Sequence, residues 1–121
     1  MTNLILPHGS NELNTLYIED EMARSSMLSA AAEMRSLEIS SAAAANAVMM
    51  AAGYFNPLTG FMNKEEAIKV SKEMLTLDDV FWPVPIVNIT KDANSLDYTH
   101  GEEIALKDPN IEGNPVIAIQ R

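Results

Sequence analysis

The sequence predicts an α+β fold, helices first and strands later, and three observations carry that reading. Eleven of its fifteen alanines fall between Ala23 and Ala52, and alanine is the best helix former. The 3.6-residue apolar period ends at Leu77. Beyond it come short β-branched runs separated by Pro, Gly and Asn, without the strand–helix alternation of a βαβ fold. With 121 residues, 47% hydrophobic and 21% charged, the chain has room for a single domain over residues 1–121.

The elements follow in order. Asp20 is the expected N-cap of a first helix reaching about Met34, with Met27, Leu28, Ala31 and Met34 on one face. Ser36 to Ser40 reads as a short extended piece, because Leu37 and Ile39 alternate with polar neighbours. Ser40 or Ser41 caps a second helix, Ala42 to Ala52, and Gly53 suits the left-handed position beyond its end. A third helix starts at Asn63, with Glu66 placed for a capping-box-like pair. Ala67, Val70, Ser71 and Met74 form its narrow stripe, flanked by Ile68 and Leu75.

After an Asp78-Asp79 turn, Phe81 to Thr90 reads as a strand. Both its parities are apolar through Val87, which predicts burial on both faces, with Pro83 and Pro85 at its entrance. Glu102 to Lys107 and Val116 to Gln120 are two more strands. Asp108-Pro109-Asn110 and Glu112-Gly113-Asn114-Pro115 supply turn chemistry between them, so the pair reads as a hairpin with a long loop.

Composition excludes several function classes. There is no cysteine, hence no disulfide, thiolate metal site or thiol nucleophile. The net charge of −9, with no basic block in either half, repels phosphate backbones, so neither nucleic-acid nor anionic-membrane binding is expected. No signal-peptide core precedes Pro7, and the most apolar run, Ala42 to Phe55, is interrupted by Asn46 and Gly53. A cytoplasmic protein is the expectation.

The catalytic inventory is thin. His8 sits in the turn-like Pro7-His8-Gly9-Ser10, where a histidine bonding backbone is expected, and His100 precedes Gly101 in a polar loop. The two histidines lack helical spacing, and no phosphate-binding glycine loop or nucleophile elbow exists, so no catalytic, cofactor or metal residue is assigned. Asp78-Asp79 and Glu102-Glu103 read as solvated charge, because adjacent side chains point apart.

The unusual segment is Gly53 to Asn63. It joins two helices yet carries Tyr54, Phe55, Leu58, Phe61 and Met62 around a Pro57–Gly60 turn. Connecting loops are ordinarily polar, so one this apolar must be buried against something. It either caps the chain's own core or docks a neighbouring domain or subunit.

These residues resemble a known family. Gly53-Tyr54-Phe55-Asn56-Pro57-Leu58-Thr59-Gly60-Phe61-Met62 resembles the G-x-F-x-P-L-x-G-F-M stretch of ATP sulfurylase, a sulfate adenylyltransferase. Pro7-His8-Gly9-Ser10 is similar to its P-H-G-G, with Ser10 in place of the second glycine. Trp82-Pro83-Val84-Pro85-Ile86 and Ile104-Ala105-Leu106-Lys107-Asp108-Pro109 are similar to later motifs in the same order. Gly113-Asn114-Pro115-Val116 is similar to the version found in sulfur-metabolising bacteria. The match runs over nearly the whole chain.

The resemblance implies the N-terminal, PUA-like domain of that enzyme: a small pseudo-barrel with about three helices, mostly in the N-terminal half. The whole enzyme joins ATP and sulfate to give adenylyl sulfate and pyrophosphate, with magnesium, and is expected to be a homo-oligomer. Its Q-x-R-N-P-x-H-x-x-H and G-R-D-H-A-G motifs, which carry the chemistry in a following domain, do not occur here. No catalytic residue carries over, and the chain by itself is expected to be an inactive fragment. The implied partner is the missing catalytic domain, with Tyr54, Phe55, Leu58, Phe61 and Met62 as its docking residues. Two other readings stay open: a free-standing PUA-like binding module, and a structural subunit of a separately encoded catalytic chain.

Overall fold

The computed structural model describes residues 5–89 and 101–120. Its elements are α1 (Glu21–Ala32), β1 (Ser36–Glu38), α2 (Ser41–Ala51), α3 (Lys64–Glu73), β2 (Ile104–Lys107) and β3 (Val116–Gln120). They form an α+β fold. The chain divides into two compact units, Met1–Leu16 with Met49–Val87 and Tyr17–Val48 with Asn88–Arg121, which are described separately below.

The unit containing residues 17–48 and 88–121 holds a three-stranded sheet in the order β1-β2-β3. β1 runs parallel to β2, with Leu37 opposite Leu106, and β2 runs antiparallel to β3, with Ala105 opposite Ile119. The expected hairpin is therefore formed, with a register shift at Leu106/Lys107 where the chain enters its loop. That loop is built by Asp108, a buried carboxylate whose Oδ1 accepts from the Asn110 backbone N–H (2.9 Å) and side-chain amide (3.1 Å). Gly113 and Asn114 take positive φ (88° and 46°), a conformation that favours these two residue types.

α1 starts where the sequence places it. Asp20 accepts from the Ala23 N–H at 2.8 Å, but the helix ends at Ala32 rather than Met34. Of the anticipated apolar face only Ala31 is buried, while Met27 and Leu28 stand exposed. Ser40, not Ser41, caps α2: its Oγ accepts from Ala43 N–H at 3.1 Å and its carbonyl from Ala44 N–H at 2.9 Å. Small side chains dominate this unit's interior, with Ala31, Ala43, Ala44 and Ala105 beside Ile39 and Leu106.

The other unit has little regular structure beyond α3 and the end of α2. Its core is Met50, Leu58, Met62, Val70, Trp82 and Ile86, with Phe55, Phe61, Ala67 and Val87 packed against it. Asn63 caps α3 by accepting from Glu66 N–H at 2.8 Å. The reciprocal half of a capping box is not the role Glu66 takes: its Oε2 accepts from the Leu77 N–H instead, at 3.0 Å. The stripe narrows to Val70, which is fully buried, since Ser71 is exposed and Met74 is an exposed C-cap in the left-handed region (φ 56°).

The strand expected over Phe81–Thr90 is not formed across its described residues, 81–89. Leu75 and Phe81 make an isolated bridge, and Pro83 and Pro85 remove the donors a ladder would need. The segment instead makes single contacts. Trp82 N–H donates to the Met74 carbonyl (2.8 Å), Met62 N–H to the Ile86 carbonyl (2.8 Å), and Ile86 N–H to Met62 Sδ (3.4 Å). Burial follows suit: Trp82 and Ile86 are inside, Phe81 and Val84 outside, so the segment is not buried on both faces.

Candidate functional site

The structure divides the five candidate docking residues of the apolar turn after α2. Leu58 and Met62 are buried in the unit's own core, and Phe55 and Phe61 pack half-buried against it. Tyr54 points out, 75% exposed. The loop thus does both things its composition allows: four of its apolar side chains cap the local core, and the fifth is left for solvent or a neighbour.

What holds the turn is a residue that sequence reasoning passed over. Asn56 is only 5% exposed and its side chain makes three hydrogen bonds. Oδ1 accepts from Asn14 N–H (2.9 Å), while Nδ2 donates to the His8 carbonyl (2.6 Å) and to Ser10 Oγ (2.8 Å). A buried amide left unbonded would cost about 1–3 kcal/mol, so these partners are what allow it inside. The next peptide, Asn56–Pro57, is cis. A polar residue inside an otherwise apolar run was the one available signal.

His8 is the turn histidine bonding backbone that its motif suggests. Its Nε2 lies 2.6 Å from the Phe81 carbonyl oxygen, and a carbonyl only accepts, so Nε2 carries the proton. The ring also lies 6.0 Å from the Trp82 ring and 6.5 Å from that of Phe81. Phe55 meets Trp82 edge-on, with centroids 5.9 Å apart at 82°. Gly9, at φ +75°, lets the backbone approach Pro57 so closely that a Cβ would sit 2.8 Å from its ring. The P-H-G turn and the N-P turn are two halves of one joint.

His8 spends its Nε2 proton on backbone, and among the described residues no three His, Cys, Asp or Glu side chains converge as a metal site would. Asp79 accepts from Lys69 Nζ at 2.6 Å. That hydrogen bond is the main reason the Lys69 ammonium titrates above its ordinary value of 10.5. Glu102 pairs with Arg35 at 3.1 Å. His100 lies outside the described residues, and no described helix is long and apolar enough to cross a membrane.

The family model described as a PUA-like domain matches residues 5–121. The chain belongs to the PUA-like domain family. A sulfate adenylyltransferase of Alcanivorax borkumensis is 52% identical to this PUA-like chain over 119 residues, covering 98% of it and 29% of that protein. The sulfate adenylyltransferase of Allochromatium vinosum is 41% identical over 116 residues, again covering 29% of its length. The chain therefore spans less than a third of these relatives. Among solved structures, the hexameric APS kinase from Thiobacillus denitrificans superposes with a TM-score of 0.80 at 30% identity, over 96% of this chain and 22% of that one.

Proposed function

We propose that this chain is the N-terminal PUA-like domain of a sulfate adenylyltransferase, supporting a catalytic domain rather than carrying the chemistry. The observation that carries the reading is the 52% identity along 98% of the chain to less than a third of such an enzyme. The whole protein is then a nucleotidyltransferase joining ATP and sulfate into adenylyl sulfate and pyrophosphate, with ATP and magnesium held by the catalytic domain, working as a cytoplasmic homo-oligomer. Adenylyl transfer needs phosphate and sulfate charge neutralised in a preorganised cationic site, and a chain of net charge −9 is poorly suited to supply one.

In this reading the apolar turn meets the catalytic domain. Tyr54 does so directly, while Phe55, Leu58, Phe61 and Met62 shape the turn from behind. The test is pyrophosphate-dependent ATP formation from adenylyl sulfate. The purified chain is expected to give none, and its fusion in place of the matching segment of the Alcanivorax borkumensis enzyme is expected to be active. In that chimera Tyr54→Ser lowers activity or assembly severalfold. ATP formation by the isolated chain, abolished by a substitution within it, refutes the proposal.

A further inference from the structure

Residues Ile5–Leu16 contain no helix or strand, and none of them is buried. Hydrogen bonds to the rest of the unit help to hold the segment in place. Five do so among the described residues. Three pass through the Asn56 side chain, to the His8 carbonyl, Ser10 Oγ and Asn14 N–H. The other two join His8 Nε2 to the Phe81 carbonyl and Leu16 N–H to the Ala51 carbonyl (2.8 Å). Leu13 lies directly over Gly53, where a Cβ would meet its side chain at 3.0 Å, so the segment crosses the start of the aromatic turn.

We propose that this segment is a strap fastened by the Asn56 amide, and that unfastening it uncovers the Trp82–Phe55 aromatic pair while α3 stays folded. Each bond that fastens the strap is replaced by a bond to water when it opens, and Asn56 becomes solvated in the same step, so no buried polar group is stranded. Such an opening lies below global unfolding in free energy. The strap reaches this pair through His8, whose ring lies 6.0 Å from that of Trp82, a residue only 8% exposed. The inference rests on this unit alone and stands apart from the sulfur chemistry proposed above.

Amide exchange on the 121-residue chain separates the strap from its surroundings. Leu16 N–H is diagnostic, because it bonds to Ala51 and not to Asn56. In the unsubstituted protein, Leu16 is expected to exchange at least about tenfold faster than Ala67 and Met74, the α3 amides bonded to Asn63 and Val70. Asn56→Ala should accelerate Leu16 about tenfold further, leave Ala67 and Met74 within about threefold, and raise acrylamide quenching of the single tryptophan. Ser10→Ala, which removes one fastening and leaves the turn intact, should act in the same direction by about threefold. Acceleration of Asn14 alone would mean only a lost bond, and equal acceleration of Leu16, Ala67 and Met74 would mean the whole unit opens; either overturns the proposal. So does Leu16 exchanging as slowly as Met74 in the unsubstituted protein, whatever becomes of the Asn56 variant.

Discussion

The two units of this chain reach burial by opposite routes. The unit of residues 17–48 and 88–121 has regular backbone and small side chains: three paired strands and two alanine-rich helical stretches around Ala31, Ala43, Ala44 and Ala105. The unit of residues 1–16 and 49–87 has large side chains and little ladder, with Trp82, Met50, Met62, Leu58 and Ile86 gathered around Val70. Where elements repeat, backbone hydrogen bonds satisfy themselves and small residues suffice to close the layer. Where they do not, aromatic and sulfur-bearing side chains fill irregular space, and individual polar groups such as Asn56 must bond the backbone one position at a time.

That contrast can be broken experimentally. Trp82→Ala is the largest expected effect, about 3–5 kcal/mol lost in urea unfolding followed by circular dichroism. Amide protection should fall at Met62 and Met74 more than at Ala105; equal loss at all three would show that the two units unfold as one. Gly9→Ala comes next, at about 1–3 kcal/mol, because an added methyl at φ +75° also meets Pro57 at 2.8 Å. Its signature is a larger loss than that from a like change at Gly60, where a Cβ meets nothing within 4 Å.

Asn63→Ala should cost about 1 kcal/mol through loss of the α3 cap, measured the same way. The smallest effect concerns Lys69. Its folded-state pKa is raised by the Asp79 hydrogen bond, so the favourable contribution is complete below the ordinary 10.5 and fades as pH climbs through the raised value. Because the Asp79 partner is largely exposed, Lys69→Met should remove a slight alkaline decline in melting temperature and change little at neutral pH.

Much of the regular unit could be read directly from sequence. Val116–Gln120 appears with its expected ends, and Asp20 and one of the two candidate serines, Ser40, cap helices there, as Asn63 does in the other unit, because capping joins residues three apart. The irregular unit was legible only in outline. Apolar composition marked the turn after α2, but it could not tell Tyr54, outside, from Met62, inside. The Asn56 partners stand 42, 46 and 48 positions away, beyond the reach of any local pattern. Phe81–Val87 misled for a different reason: its hydrophobicity is that of a central strand, whereas Pro83 and Pro85 permit it only isolated contacts.

The parallel pairing of β1 with β2 has a consequence for how this polypeptide comes off the ribosome. Ser36–Glu38 finds its neighbour only once Ile104–Lys107 has been synthesised, and every residue from Met49 to Val87 emerges in between. The tryptophan-centred half has all its pieces available first, whereas the sheet-bearing half must hold an unmatched edge in waiting. A nascent chain held with Val87 just clear of the ribosomal exit tunnel should accordingly show a shielded Trp82 together with a stretch from Tyr17 to Val48 that a protease can still cut.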